Sequence, residues 1–174
     1  MAKNAPMWFE SPEALTIRAF LERIGIPVVV ETLPEDTCLP GMAVRHGKLI
    51  VDPDQLGHPG DLLHDAGHIA VMDPEVRDTL ASVPEGDGAQ EMATIGWSYA
   101  AAMEIGISLE TLFHEHGYHG GGSIGSGGSF LTDAFERGAY VGAPLLDFWG
   151  MALSPAKAEA QGVAPYPHML RWLR

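Results

Sequence analysis

A single cysteine, Cys38, occurs in 174 residues, so no disulfide can form within the chain. The fold must rest on its apolar core, and this usage fits a reducing compartment, which points to the cytoplasm. No apolar run approaches the length of about 18 residues that a membrane span requires. Met1–Glu10 has no continuous apolar stretch, so neither a membrane segment nor a signal peptide is expected. Basic residues are also scarce: 10 Lys and Arg stand against 23 Asp and Glu, for a formal net charge of −13. An acidic surface repels phosphate backbones, which argues against nucleic acid as a partner. The glycine-rich stretch lacks a Gly-Lys-Ser/Thr ending, which excludes a P-loop. There is no internal repeat.

The composition that is present, 46% hydrophobic, suffices for one core and one domain over 1–174. Ser11-Pro12-Glu13 opens a helix with a capping hydroxyl and a proline at the first helical position, and Gly25 with Pro27 ends it. Leu15, Ala19, Leu21 and Ile24 are its expected apolar stripe. Pro27–Leu33 is short and β-branched, hence a strand. Met42–Arg45 and Lys48–Asp52, joined at His46-Gly47, read as a β-hairpin. A helix follows over Asp61–Met72, ended by Asp73-Pro74. Pro74–Gly88 is expected to hold a short helix and a loop. A long helix opens at Ala89-Gln90-Glu91 and runs to Ile105, with Ala93, Gly96, Ala100 and Ala101 suited to close helix packing. Ser108 is placed as the cap of a helix to His116, and Ser129 as the cap of one to Arg137. A helical piece is expected over Leu145–Leu153, then an extended tail through Ala164–Pro167 and a last turn at His168–Leu173. Trp97, Phe113, Phe130, Phe135, Phe148 and Trp149 are assigned to the core. The fold class is α+β: a small antiparallel sheet or hairpin packed against a helical core.

The chemistry concentrates in Leu62-Leu63-His64-Asp65-Ala66-Gly67-His68. Histidines four residues apart rise from one helix face, where two imidazoles can hold one metal ion. A hydrolytic zinc site needs three protein ligands and an open position for water. The third ligand must come from another element, and Glu91, 23 residues beyond His68 at the start of the next long helix, is the first choice; Asp87 is the second.

The order of hairpin strand, His64-Asp65-Ala66-Gly67-His68 helix and Glu91-Met92-Ala93 helix resembles the ImmA/IrrE group of zincin-like metallopeptidase domains over roughly 44–102. The family pattern is H-E-x-G-H followed by a downstream E-x-x-A helix, and Gly67 matches its small residue before the second histidine. The resemblance implies a zincin-like core, a Zn²⁺ cofactor held by His64, His68 and Glu91, and a zinc-dependent hydrolase acting through a metal-bound water on a peptide or small-molecule substrate. It places Asp65 at the position of the general base, where the family has Glu. Aspartate is one methylene shorter, and proton transfer needs hydrogen-bond reach of about 2.6–3.2 Å.

The same residues also resemble the L-L-H-D-x-G-[HK] core of HD-domain phosphohydrolases, in which the adjacent His and Asp both bind metal. That resemblance makes Asp65 a ligand, and it requires an all-helical fold with an earlier histidine on a helix. Here the upstream stretch is β-rich, and His46 and His58 sit at turns. A third reading keeps the zincin-like core but makes it a degenerate metal-binding protein without turnover.

Seven glycines fall within 117–128, too many for a helix or strand interior. The segment is read as a surface loop or as a substrate wall, and in the second case Tyr118 or His119 polarises a substrate carbonyl. His114, His116 and His119 form a weak alternative metal set, since their spacing fits no single helix face. Nothing in the sequence sets the oligomeric state.

Overall fold

A computed structural model describes residues 7–35, 37, 40–83, 87–114 and 127–174. After a 3-10 turn at Met7–Glu10, helix α1 spans Pro12–Ile24. Ser11 Oγ accepts a hydrogen bond from Ala14 N at its start, and Gly25 closes it at φ 94°. Its buried face is Ala14, Ile17, Phe20 and Leu21, with Ile24 half-buried. Leu15 and Ala19, expected on that face, are exposed: the inward stripe runs 14, 17, 21, 24, and both fall off it.

Strands β1 (Val28–Val30), β2 (Met42–Arg45) and β3 (Lys48–Val51) form a sheet in the order β1-β3-β2. The β2–β3 hairpin turns on His46 (φ 50°) and Gly47 (φ 72°), two consecutive left-handed residues whose twist suits paired strands. The sheet is not purely antiparallel as expected. β1 pairs parallel with β3, Val29 opposite Ile50, because the chain reaches the hairpin by a long connection and then enters β3 from the same end.

Helix α2 (Asp61–Val71) buries Leu62, Leu63, Ala66, Ile69 and Ala70 completely. A short α3 (Pro74–Arg77) follows, then the long α4 (Gly88–Ile105). α4 packs directly on α2. Gly67 permits this, because a β-carbon there would lie 2.9 Å from Thr94 Cγ2 and 3.1 Å from Ser98 Oγ. Ser98 Oγ donates to Leu63 O and Thr94 O, tying the two helices at the same level.

The remaining helices are α5 (Leu109–Leu112), α6 (Gly127–Glu136), α7 (Ala143–Phe148) and α8 (Pro155–Gln161). Ser108 caps α5 as expected, but the helix ends at Leu112, where Phe113 leaves helical geometry. Ser129 lies inside α6 rather than capping it. α7 stops at Phe148, and Gly150 at φ 67° turns the chain away before Leu153. α8 has no counterpart in the sequence reading. Trp97, Phe113 and Phe135 are core residues, Trp149 is half-buried, and Phe130 and Phe148 are 48% and 80% exposed. Phe148 is the last residue of a six-residue helix whose inward position is taken by Leu146. Among the described residues no helix is long and apolar enough to cross a membrane.

Arg77 fastens the C-terminal end of α2. Its Nε donates to Ile69 O, and its Nη2 reaches Ala70 O, Met72 O and Arg174 O. The last carbonyls of a helix have no partner within it, and a guanidinium both satisfies them and complements the dipole.

Candidate metal centre

Helix α2 has two faces. One is apolar and faces the core. The other carries Asp61, His64, Asp65 and His68 at i, i+3, i+4 and i+7. Glu91 comes to this face from the first turn of α4, where the positive end of the helix dipole favours a carboxylate.

His64 Nε2 lies 3.4 Å from Glu91 Oε1, and His68 Nε2 lies 3.3 Å from Glu91 Oε2. The two Nε2 atoms are themselves 3.3 Å apart. Donors held at about 2.0–2.1 Å from a tetrahedral ion stand about 3.3–3.4 Å from one another, which the two imidazole nitrogens match, while Glu91 meets them through different oxygens, Oε1 towards His64 and Oε2 towards His68. His68 Nδ1 meets the buried hydroxyl of Thr94 at 3.3 Å. With the proton on Nδ1 and donated to Thr94 Oγ1, Nε2 carries the lone pair, the usual way an outer partner fixes a ligating imidazole.

The protonation states suit a cation. Burial lowers the His64 pKa to about 3, helped by the neighbouring His68, and burial lowers that of His68 to about 4. Both rings are therefore neutral near pH 7, as metal ligands must be, and their contacts with Glu91 are not ion pairs there. Burial raises the pKa of the partly exposed Glu91. Asp65 is raised to about 7, first by burial and then by the charges of Asp61 and Glu91.

Asp65 belongs to a second possible donor group. His64, Asp65 and His68 each offer one ligand atom, and these lie within 4.8 Å of one another. Asp87, the alternative acid, is elsewhere: its Oδ1 accepts from Ala89 N and Gln90 N as the cap of α4. Tyr118, His119 and His116 lie outside the described residues.

Two contacts at this face escaped the sequence reading. His114 Nε2 meets Asp61 Oδ1 at 2.8 Å, with both side chains about nine-tenths buried, and the His58 ring stacks on His114 at 3.7 Å. Asp61 was findable, since it completes the helical spacing of His64, Asp65 and His68. His114, 53 residues away, was not. His114 is thereby engaged with Asp61 and does not join the donor set.

No family model, curated protein or solved structure matches the chain.

Proposed function

We propose that the protein is a zinc-dependent hydrolase of the metallopeptidase-like kind. The observation that carries this reading is the convergence of His64 Nε2, His68 Nε2 and the Glu91 carboxylate at separations of 3.3–3.4 Å. A donor set of two neutral imidazoles and one carboxylate is a zinc set that leaves a position for substrate or water. A zinc ion held there supplies Lewis acidity and lowers the pKa of water towards about 7.

The chain's own residues would do the rest. Thr94 holds the His68 ring in its ligating orientation. Asp65, beside the donors, takes a proton from the attacking water and returns it to the leaving group.

The placement of Asp65 within 4.8 Å of both histidine donors favours a second reading, in which Asp65 is itself a ligand, as in HD-type phosphohydrolases. Against it, β1, β2 and β3 all precede α2, and His46 and His58 lie outside helices.

Elemental analysis of the purified protein tests the reading. About one zinc per chain is expected, lost in His68→Ala; metal retained at full stoichiometry by His64→Ala/His68→Ala would reject the site. Turnover on a broad peptide panel then separates a hydrolase from a metal-binding protein without catalysis.

A further inference from the structure

A cavity of about 570 Å³ opens beside the C-terminal end of α2, away from the histidine donors. Pockets of about 300–1,000 Å³ are the usual size for small organic ligands. Its floor is apolar, from Ile26, Ile69 and Leu173, and its rim carries His46, Lys48 and Arg77.

The rim stands out against the charge arrangement elsewhere. Of the nine described Lys and Arg residues, six have a carboxylate within 4.0 Å: Arg18, Arg23, Arg45, Arg137, Lys157 and Arg174. Arg171 donates to Trp149 O. Lys48, which has no such partner, and Arg77, whose Nη2 lies 2.9 Å from Arg174 O, both line this cavity. The Lys48 ammonium has no hydrogen bond or ion pair among the described residues. Arg77 spends Nε and Nη2 on carbonyls and leaves Nη1 out of all these bonds. One carboxylate, Asp78, shares the rim. Of the two cations it faces, Arg77 also bonds Arg174 O, whereas the Lys48 ammonium has no partner among the described residues.

We propose that this cavity binds a small organic anion, a carboxylate or a phosphate ester on an apolar body. Its oxyanion meets Lys48, His46 and Arg77 Nη1, and its body lies on Ile26, Ile69 and Leu173. Guanidinium and ammonium groups are the ordinary receptors for such oxyanions. The site is separate from the donor set on α2, although Ile69 directly follows His68 in the same helix.

Amide chemical-shift titrations of the full chain test this with benzoate, phenyl phosphate and the neutral benzamide. Saturable shifts at Gly47, Lys48 and Asp78 are expected for at least one anion at about 1 mM or below, with benzamide weaker by about tenfold. Whether benzoate or phenyl phosphate saturates first distinguishes the two oxyanion sources. Lys48→Glu should weaken the anion by about tenfold, while Lys48→Arg retains it. His64→Ala/His68→Ala should bind the anion as the wild type does, so failure of the zinc reading leaves this result untouched. Absence of saturation by about 20 mM, equal binding of benzamide, unchanged affinity in Lys48→Glu, or loss in the histidine double variant would each overturn the proposal.

Discussion

Gly67 and Thr94 set the distance between the two helices of the metal centre: a β-carbon on Gly67 would stand 2.9 Å from Thr94 Cγ2. The same Thr94 hydroxyl holds His68 Nδ1, and Glu91 lies one turn earlier on α4. Gly67→Ala should gain about 1 kcal/mol of helix propensity. It must also displace a fully buried threonine and its backbone, at about 1–3 kcal/mol. The second effect wins, so urea denaturation should show net destabilisation. Zinc affinity should fall with it, since α4 carries both Glu91 and Thr94.

The identity of the third ligand is decided by paired variants. Glu91→Gln removes the anionic donor and should weaken zinc by at least about tenfold, whereas Asp65→Asn should keep zinc and abolish hydrolysis. Zinc lost from Asp65→Asn with the fold intact would transfer the ligand role to Asp65. Asp87→Asn should change neither, because Asn caps a helix as Asp does. Asp65→Glu restores the longer arm, and turnover should rise if reach limits the base.

The metal-free protein should show two opposed pH dependences. His64 and His68 titrate lower in the fold, about 3 and about 4, than the 6.5 of an unburied histidine. Their contribution is present above pH 6.5 and is lost as pH falls towards those values. Asp65 titrates at about 7 against an ordinary 3.8, so its contribution is complete below 3.8 and is lost as pH rises through 7. Urea midpoints of metal-stripped wild type and Asp65→Asn should therefore diverge between pH 4 and 7 in favour of the variant, then run parallel. A constant difference across that range would contradict the raised pKa of Asp65.

Arg77→Met should cost about 1–3 kcal/mol, because it strands carbonyls at the end of α2 and at Arg174. Lys in its place should recover only part, since one ammonium cannot serve carbonyls spread over four residues. Urea denaturation of the two variants beside wild type measures both.

Much of this arrangement follows from local signals. Ser11-Pro12 with Gly25, the His46-Gly47 turn, and the spacing of His64 and His68 each state a short-range rule that packing then keeps. The proximity of Glu91 to both histidines could be anticipated because a zinc set would need an acid from the next element. α8 was missed although Ser154-Pro155 and Gly162 repeat the punctuation of α1; its sequence PAKAEAQ has only alanine to bury, so no apolar stripe announced it. The parallel placement of β1, the Asp61–His114 pair and the grip of Arg77 on α2 are long-range choices, fixed by which surfaces meet. Phe130 and Phe148 show the complementary limit. Aromatic character alone does not tell which side of a short helix faces inward.

The candidate donors come from two successive long helices, with 27 positions from His64 to Glu91, whereas Arg174 N bonds Ala70 O across most of the chain. Closing the short loop costs little entropy, and closing the long one comes late. A metal ion added during refolding would therefore find its ligands before the tail is seated. Cobalt absorbance should then develop ahead of the fluorescence change of Trp172, whose carbonyl receives the Trp97 indole only when that tail arrives.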